Sequence, residues 1–166
     1  MIPTEIRTSR LDLVPLRVEH ADEMAAVLGD PALHAFIGGA PDDVEALRAR
    51  YRRMLAGSPD PGVSWCNWVL RLRAEEEAVL VGTVQATVTP DDLAEIAWVV
   101  GTPWQGRGLA SEAARGLVEW LAGRQVRTVV AHVHPDHAAS AAVARSAGLA
   151  ATEVIQDGEI RWEARL

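Results

Sequence analysis

The sequence predicts a mixed α/β fold in which one central sheet, mostly antiparallel, carries about four helices. Strand-like segments at Trp65–Leu72, Ala78–Thr89 and Leu93–Val100 follow one another and predict an antiparallel meander. A strand–helix–strand unit then runs from Leu93 to Val133 and predicts a right-handed parallel crossover. Strands in both arrangements favour a mixed sheet. At 166 residues, without a long linker or an internal repeat, the chain is expected to form one domain over 1–166.

The first third of the chain predicts one strand and two helices. Apolar and polar residues alternate over Arg7–Leu16, which indicates a strand. A first helix is expected over His20–Leu28. A second helix begins after Pro41, where Asp42 and Asp43 match the positive end of the helix dipole. The turn-rich segment Gly57–Gly62 separates this part from the meander.

The remaining elements follow from charge, glycine and helical spacing. A charged connector, Arg73–Glu77, predicts a hairpin between the first two strands of the meander, and Gly82 indicates a bulge. An amphipathic helix is expected after Gly108 and a second one over His137–Ala147. A last hairpin is expected around Asp157-Gly158, with strands at Thr152–Ile155 and Glu159–Arg165.

Composition excludes several classes of protein. The 16 basic residues are all arginine, so Schiff-base and P-loop lysine chemistry are excluded. With 23 acidic residues the net charge is −7, which disfavours nucleic-acid binding and favours a cationic small-molecule or peptide partner. Cys66 is alone and is interpreted as a small buried hydrophobe in a reducing compartment. No leader or membrane segment is recognised, so we expect a cytoplasmic protein without a membrane partner.

The segment Trp98–Ala110 carries the strongest functional signal. It joins a predicted strand to a predicted helix through a loop that contains three glycines. Unpaired backbone N–H groups at the positive end of a helix form an anion site, and glycine lets a phosphate approach the backbone closely. Arg107 adds a charged donor. The segment therefore predicts a phosphate-binding loop.

Two common phosphate-binding patterns do not fit this loop. A P-loop needs Lys followed by Ser or Thr, where this chain has Arg107 and Gly108. A dinucleotide fingerprint needs Gly or Ala at position 111, where Ser111 stands, and it usually occupies the first strand–helix turn. A different phosphate-binding motif is therefore needed.

The sequence Gln105–Ala110 resembles the Q/R-x-x-G-x-G/A motif of the GNAT superfamily of acetyl-CoA-dependent N-acetyltransferases. The preceding Ala94–Val100 resembles the fourth strand of that family, which has a Glu near its start. Downstream, His134–Ser140 followed by Ala147-Gly148-Leu149 is similar to the N-x-x-S…GF stretch of the family. The opening Thr8–Leu13 is similar to the subgroup that includes ribosomal-protein alanine acetyltransferases. The resemblance covers almost the whole chain, with its elements in the same order.

Three features depart from the family's pattern. His137 stands where Asn is usual and Leu149 where Phe is usual. His137 keeps a polar side chain at its position, and Leu149 keeps a large apolar one. Many relatives use a tyrosine shortly after the last helix as general acid. The only tyrosine here, Tyr51, lies in an early helix. The usual general acid is therefore expected to be absent.

The resemblance implies that acetyl-CoA is the cosubstrate and that the amine attacks its thioester directly. Backbone N–H groups of the loop would hold the pyrophosphate, and the strand edge would pair with the pantetheine arm. An N–H near Val99 would polarise the thioester carbonyl. The resemblance assigns to cofactor binding Trp98, Val99, Val100, Gln105, Gly106, Arg107, Gly108, Leu109, Ala110 and His137.

Two residues are candidates for proton transfer. Glu95 is the candidate general base, acting through water; the alternative is a solvated strand end. By resemblance to relatives without the tyrosine, Ser140 is the candidate acid that protonates the CoA thiolate. Ser140 is otherwise interpreted as a cofactor contact or a local hydrogen-bonding residue, with water as the acid.

Histidine and tryptophan allow further interpretations. His132, His134 and His137 are spaced like metal ligands, but they span a strand and a helix start without an acidic second motif, so no metal is expected. Trp104 is expected near the site. Four tryptophans are expected in the core, namely Trp65, Trp68, Trp120 and Trp162.

Two functions are consistent with these residues. The first is transfer of an acetyl group from acetyl-CoA to a primary amine on a small molecule or a peptide. The alternative is a catalytically degenerate module that binds acyl-CoA or a partner protein. By resemblance, the acceptor pocket involves Leu28–Pro61 and Ile155–Arg161, and homodimers are common among relatives.

Overall fold

The computed structural model describes residues 1–74 and 76–166, so Glu75 of the expected charged connector lies outside the described residues. Within these ranges the chain forms one sheet of eight strands and five α-helices. The strands are β1 (Ile6–Arg7), β2 (Leu11–Pro15), β3 (Ser64–Leu72), β4 (Val79–Val88), β5 (Leu93–Val100), β6 (Thr128–Val133), β7 (Ala150–Gln156) and β8 (Glu159–Arg165). The helices are α1 (Ala21–Val27), α2 (His34–Ile37), α3 (Val44–Ala56), α4 (Leu109–Ala122) and α5 (Ala138–Ser146).

The sheet has the strand order β1-β2-β3-β4-β5-β6-β8-β7. Every neighbouring pair is antiparallel except β5 and β6, which are parallel and joined through α4. The mixed α/β fold class and the parallel strand–helix–strand unit are therefore confirmed. The expected bulge is present too, because Leu70 pairs with Gly82 and Arg71 pairs with Leu80, which leaves Val81 as the extra residue.

The structure differs from the predicted elements in two places. The single strand expected over Arg7–Leu16 is two strands, because the chain turns back at Ser9-Arg10 and the Thr8 N–H donates to the Leu11 carbonyl, 2.9 Å away. The short helix α2 is missing from the prediction. One helical turn is too short to produce a recognisable apolar periodicity.

One face of the sheet is covered by α4 and α5. Large side chains of β3 and β5, including Trp68 and Ile96, pack there against the apolar side of α4. Trp68 and Trp120 meet edge to face with their ring centroids 5.0 Å apart. Trp162 is buried in the same core, so three of the four predicted core tryptophans lie where expected.

The opposite face is covered at one end only. There α1 and α3 pack on β2, β3 and β4 around a second apolar core that includes Met24, Leu47 and Val69. Further along β3–β5 lies an open face, made of the cross-strand rows Trp65–Thr87–Glu95 and Asn67–Gln85–Ala97. Trp65 is therefore 38% exposed, and its predicted place in the core is wrong because its strand position points to this face.

Candidate active site

The two parallel strands separate after three residue pairs. β5 pairs with β6 only from Leu93 to Glu95, and beyond that point it pairs with β4 alone among the residues that the structure describes. The edge of β5 at Trp98–Val100 is therefore free. A cleft of about 440 Å³ opens beside it, between β5, the start of α4 and the start of α5.

The predicted phosphate-binding loop forms one end of this cleft. Gly106 and Gly108 have positive φ angles, +75° and +76°, which L-residues with side chains rarely adopt. The side chain of Gln105 donates to the Val100 carbonyl, 2.9 Å away, and fixes the loop to the end of β5. Within the described part of the chain, the backbone N–H groups of residues 106–108 have no acceptor, directly before α4 begins. This is the geometry of an anion site.

Among the residues assigned to cofactor binding, nine line the cleft: Trp98, Val99, Val100, Gln105, Gly106, Gly108, Leu109, Ala110 and His137. Arg107 is not among the described lining residues. Its guanidinium lies 3.5 Å from the Pro103 carbonyl, on the exposed side of the loop. Trp104, expected near the site, also lines the cleft.

A buried carboxylate supports the loop from behind, and sequence reasoning missed it. Glu112, in the first turn of α4, accepts from the Thr8 hydroxyl at 2.6 Å and from Nε of Arg10 at 2.9 Å. Arg10 Nη1 also donates to the carbonyl of Arg107, 2.8 Å away. Burial disfavours the Glu112 carboxylate, but the hydrogen bonds from Thr8 and Arg10 outweigh it and hold its pKa below the usual value. The β1–β2 turn therefore clamps the loop.

The other wall of the cleft comes from the start of α5 and from α2. His137 precedes α5, and its ring stacks on Phe36 of α2 with centroids 4.1 Å apart. Burial and the nearby His134 lower the pKa of His137. Ser140 lines the cleft, with Oγ 3.5 Å from Nε2 of His137. Phe36 was not predicted as a site residue, because the sequence did not predict the helix α2 that carries it.

Glu95 lies on the open face of the sheet rather than in the cleft. Its Oε1 is 3.0 Å from Nδ1 of His132 on β6, and its side chain is 55% exposed. The Nε2 atom of His132 is buried and has no partner among the described residues. Glu95 and Val99 are on the same face, about 13 Å apart along the strand at the usual rise per residue. Sequence reasoning considered His132 only as a metal ligand and missed this pairing.

A second cavity of about 200 Å³, which we call the helix-covered pocket, lies between α3, the segment from Leu28 to His34 and the sheet. Leu33 and Val99 line both this pocket and the cleft, so the two cavities meet at β5. The other described residues that line it are Leu16, Leu28, His34, Asp42, Leu47, Arg50, Tyr51, Met54, Asn67, Trp68, Thr83, Val84 and Gln85.

Tyr51 is the unusual residue of the helix-covered pocket. It is only 3% exposed, and its hydroxyl has no hydrogen-bond partner in the part of the chain that the structure describes. Burial raises its pKa to about 12, so the hydroxyl keeps its proton at neutral pH. Arg50 and Asp42 form an ion pair at 3.0 Å in the same wall.

Two further features bear on the sequence interpretations. Cys66 is buried, and burial raises the pKa of its thiol, in agreement with its reading as a small hydrophobe. No group of three potential metal ligands occurs among the described residues. None of the helices in the described ranges combines the length and apolar character needed to span a membrane.

Comparison with known structures identifies the fold. RimL, a ribosomal L7/L12 α-N-protein acetyltransferase in complex with coenzyme A, superposes with a TM-score of 0.81 at 18% identity and covers 98% of each chain. An acetyltransferase from Agrobacterium tumefaciens has a TM-score of 0.75 at 24% identity, covering 98% of this chain and 94% of that one. At these identities the similarity establishes the fold.

A third similar structure is AAC(6′)-Ib in complex with paromomycin and acetyl-CoA. Its TM-score is 0.76 at 15% identity, and it covers 95% of this chain and 94% of its own. No curated protein matches the sequence.

The family is established by the sequence itself. Residues 10–150 match the Acetyltransferase (GNAT) domain, and this range includes the glycine loop, Glu95 and the start of α5. The match confirms the predicted enzyme class, an acetyl-CoA-dependent N-acetyltransferase with acetyl-CoA as its cosubstrate. The chain belongs to the GNAT acetyltransferase family.

Proposed function

We propose that the protein transfers the acetyl group of acetyl-CoA to a primary amine by direct attack of the amine. One observation carries this proposal: the free edge of β5 and the anion-binding loop before α4 face the same cleft. A molecule with an extended amide arm and a pyrophosphate fits both features at once. We further propose that the chain acts as one domain, 1–166, in the cytoplasm.

The backbone supplies the binding groups for acetyl-CoA. The free N–H groups of residues 106–108 would hold the pyrophosphate at the start of α4. The free edge at Trp98–Val100 would pair with the amide groups of the pantetheine arm, as an added strand pairs with a sheet. A backbone N–H near Val99, on the free edge of β5, would then polarise the thioester carbonyl. In this proposal the exposed guanidinium of Arg107 meets an outer phosphate group.

Glu95 would receive the proton that the amine loses. Its carboxylate is exposed on the open face and held by Nδ1 of His132 at 3.0 Å. Since Glu95 lies about 13 Å from Val99 along the strand, water molecules on the open face would carry the proton between them. His132 acts here as a positioning residue, because it fixes the carboxylate that accepts the proton.

Ser140 would provide the proton that the CoA thiolate gains, and water in the cleft would return a proton to its hydroxyl. Its hydroxyl lines the cleft and lies 3.5 Å from His137 Nε2. Burial lowers the pKa of His137, which favours a neutral ring that can exchange a hydrogen bond with Ser140. Tyr51, in the helix-covered pocket, does not line the cleft and is not used in this step.

The acceptor side of the proposal is a primary amine that enters from the face opposite the phosphate loop. The names of similar structures include a protein α-amine acetyltransferase and an enzyme bound to paromomycin, so this fold accommodates very different amines. The helix-covered pocket meets the cleft at Val99 and would hold the acceptor's substituent.

A thiol-release assay tests the proposal. The protein, acetyl-CoA and a panel of primary amines are combined, and free CoA is measured against a mixture without amine. Amine-dependent release supports the proposal. Thermal stabilisation by CoA without release for any amine would instead favour the degenerate binding module.

A further inference from the structure

The helix-covered pocket has a wall that distinguishes between classes of amine. Most of its described lining is apolar, supplied by Leu28, Leu33, α3 and the sheet beneath them. Its neutral polar groups include the amides of Asn67 and Gln85 and the hydroxyl of Thr83. Such a lining favours a compact, uncharged substituent, because burying an apolar group is favourable and burying an unpaired charge is costly.

The charged groups of this wall are already paired with each other. Among the described lining residues Asp42 is the only acid, and its Oδ2 lies 3.0 Å from Nη2 of Arg50. A polyamine or an aminoglycoside carries several cationic amines, each of which needs a carboxylate when it leaves water. The pocket therefore lacks free counter-charges for a polycation within the part of the chain that the structure describes.

Tyr51 lines the helix-covered pocket and carries a hydroxyl that is free to form a hydrogen bond. Its hydroxyl is shielded from water and has no partner among the described residues. Buried hydroxyls in proteins are nearly always hydrogen-bonded to protein or to ordered water, so this hydroxyl is expected to take a partner from the contents of the pocket beside it. A ligand group that donates a hydrogen bond to this hydroxyl, or accepts one from it, would supply the partner that the protein does not.

We propose that the helix-covered pocket selects primary amines whose substituent is uncharged and largely apolar and carries one hydrogen-bonding group for Tyr51. This inference rests on the proposed function, since it assigns the acceptor of the same reaction. Such a primary amine can belong to a free small molecule or to the N-terminal residue of a peptide. Tyramine represents the first source and a tyrosyl-alanine amide the second.

The chain reports on this pocket directly because Tyr51 is its only tyrosine. Protein labelled with 13C at the tyrosine ζ-carbon gives a single resonance, which is followed during titration with tyramine, phenethylamine and spermidine in the presence of CoA. Tyramine is expected to move the resonance most and spermidine not to move it. A resonance that spermidine moves and tyramine does not would overturn the inference.

Turnover gives a second, independent measurement. The kcat/KM for tyramine or for tyrosyl-alanine amide is expected to exceed that for spermidine about 100-fold, because the pocket excludes extra charges. In Tyr51→Phe, the preference for tyramine over phenethylamine is expected to fall about 5-fold, the effect of one hydrogen bond. Leu55→Ala, exposed on the same helix, is the control and keeps the preference.

The outcomes separate this inference from the proposed function. Turnover that favours spermidine, or a Tyr51→Phe variant with an unchanged preference, would overturn the pocket assignment and leave acetyl transfer intact. A tyramine-dependent shift of the Tyr51 resonance without CoA release from any amine would overturn acetyl transfer and support the pocket assignment.

Discussion

Glu95 and His132 lie on neighbouring strands and join through a contact of 3.0 Å between Oε1 and Nδ1. The contact falls where β5 and β6 begin to separate, because Glu95 belongs to the last residue pair that joins them. The carboxylate is therefore held at the base of the opening, on the face where the amine is proposed to enter.

Replacing Glu95 by Gln removes the proposed proton acceptor and keeps the size of the side chain. We expect kcat to fall about 100-fold, as for the loss of a general base. The KM for acetyl-CoA is expected to change little, because Glu95 does not line the cleft. Thiol release at saturating amine measures kcat, and a titration with acetyl-CoA measures its KM. Unchanged turnover would remove Glu95 as the base.

Replacing His132 by Ala tests whether it acts through Glu95. We expect a fall in kcat of about 10-fold in the otherwise unchanged protein and almost no effect in the Glu95→Gln background, because coupled residues are non-additive. Kinetics of the two single variants and the double variant measure this coupling. Equal effects of His132→Ala in both backgrounds would show that His132 acts independently of Glu95.

Replacing Gly108 by Val is expected to abolish CoA binding. Gly108 has φ +76° directly before α4, where a β-branched residue would distort the loop. Gly158→Val is a matched control, since Gly158 has φ +80° in the β7–β8 turn away from the cleft. Calorimetry with CoA is expected to detect binding to the control only. Intact binding to Gly108→Val would contradict the assignment of the loop.

Replacing Ser140 by Ala tests the proposed acid. We expect kcat to fall about 100-fold with a small change in the KM for acetyl-CoA. Ser146→Ala is the control, because Ser146 lies on the same helix and its hydroxyl only donates to the Val143 carbonyl. A rise in KM without a fall in kcat would identify Ser140 as a cofactor contact rather than an acid.

Glu112 is expected to make stability depend on pH. Its pKa is lower in the folded protein than in the unfolded chain, so its stabilisation is present above the unfolded value of about 4.3 and is lost as the pH falls through the folded pKa. Glu112→Gln should cost about 2 kcal/mol of unfolding free energy at pH 7. Urea unfolding at pH 7 and at acidic pH measures this, with the exposed Glu119→Gln as control. If Glu112→Gln lost the same unfolding free energy at both pH values, the lowered pKa of Glu112 would be contradicted.

The elements around the phosphate loop could be predicted because their signals are local. Strand β5, the glycines at positive φ and the apolar side of α4 each depend on neighbouring residues. Contacts between segments that are far apart in the sequence leave no such local pattern. Glu112 meets Arg10 across more than 100 residues, and the pocket that holds Tyr51 meets the cleft at the shared lining residues Leu33 and Val99. The helix-covered pocket depends on such contacts and could not be read from one sequence.

The separation of β5 from β6 also affects the mechanics of the protein. Three residue pairs join the strands β1–β5 to the strands β6, β8 and β7 within the described sheet. A ligand that pairs with the free edge of β5 and contacts α5 would tie the two halves together. Amide hydrogen exchange at Trp98–Val100 and in α5 should therefore slow together when CoA binds, and the cosubstrate would serve as the missing strand that makes the sheet continuous.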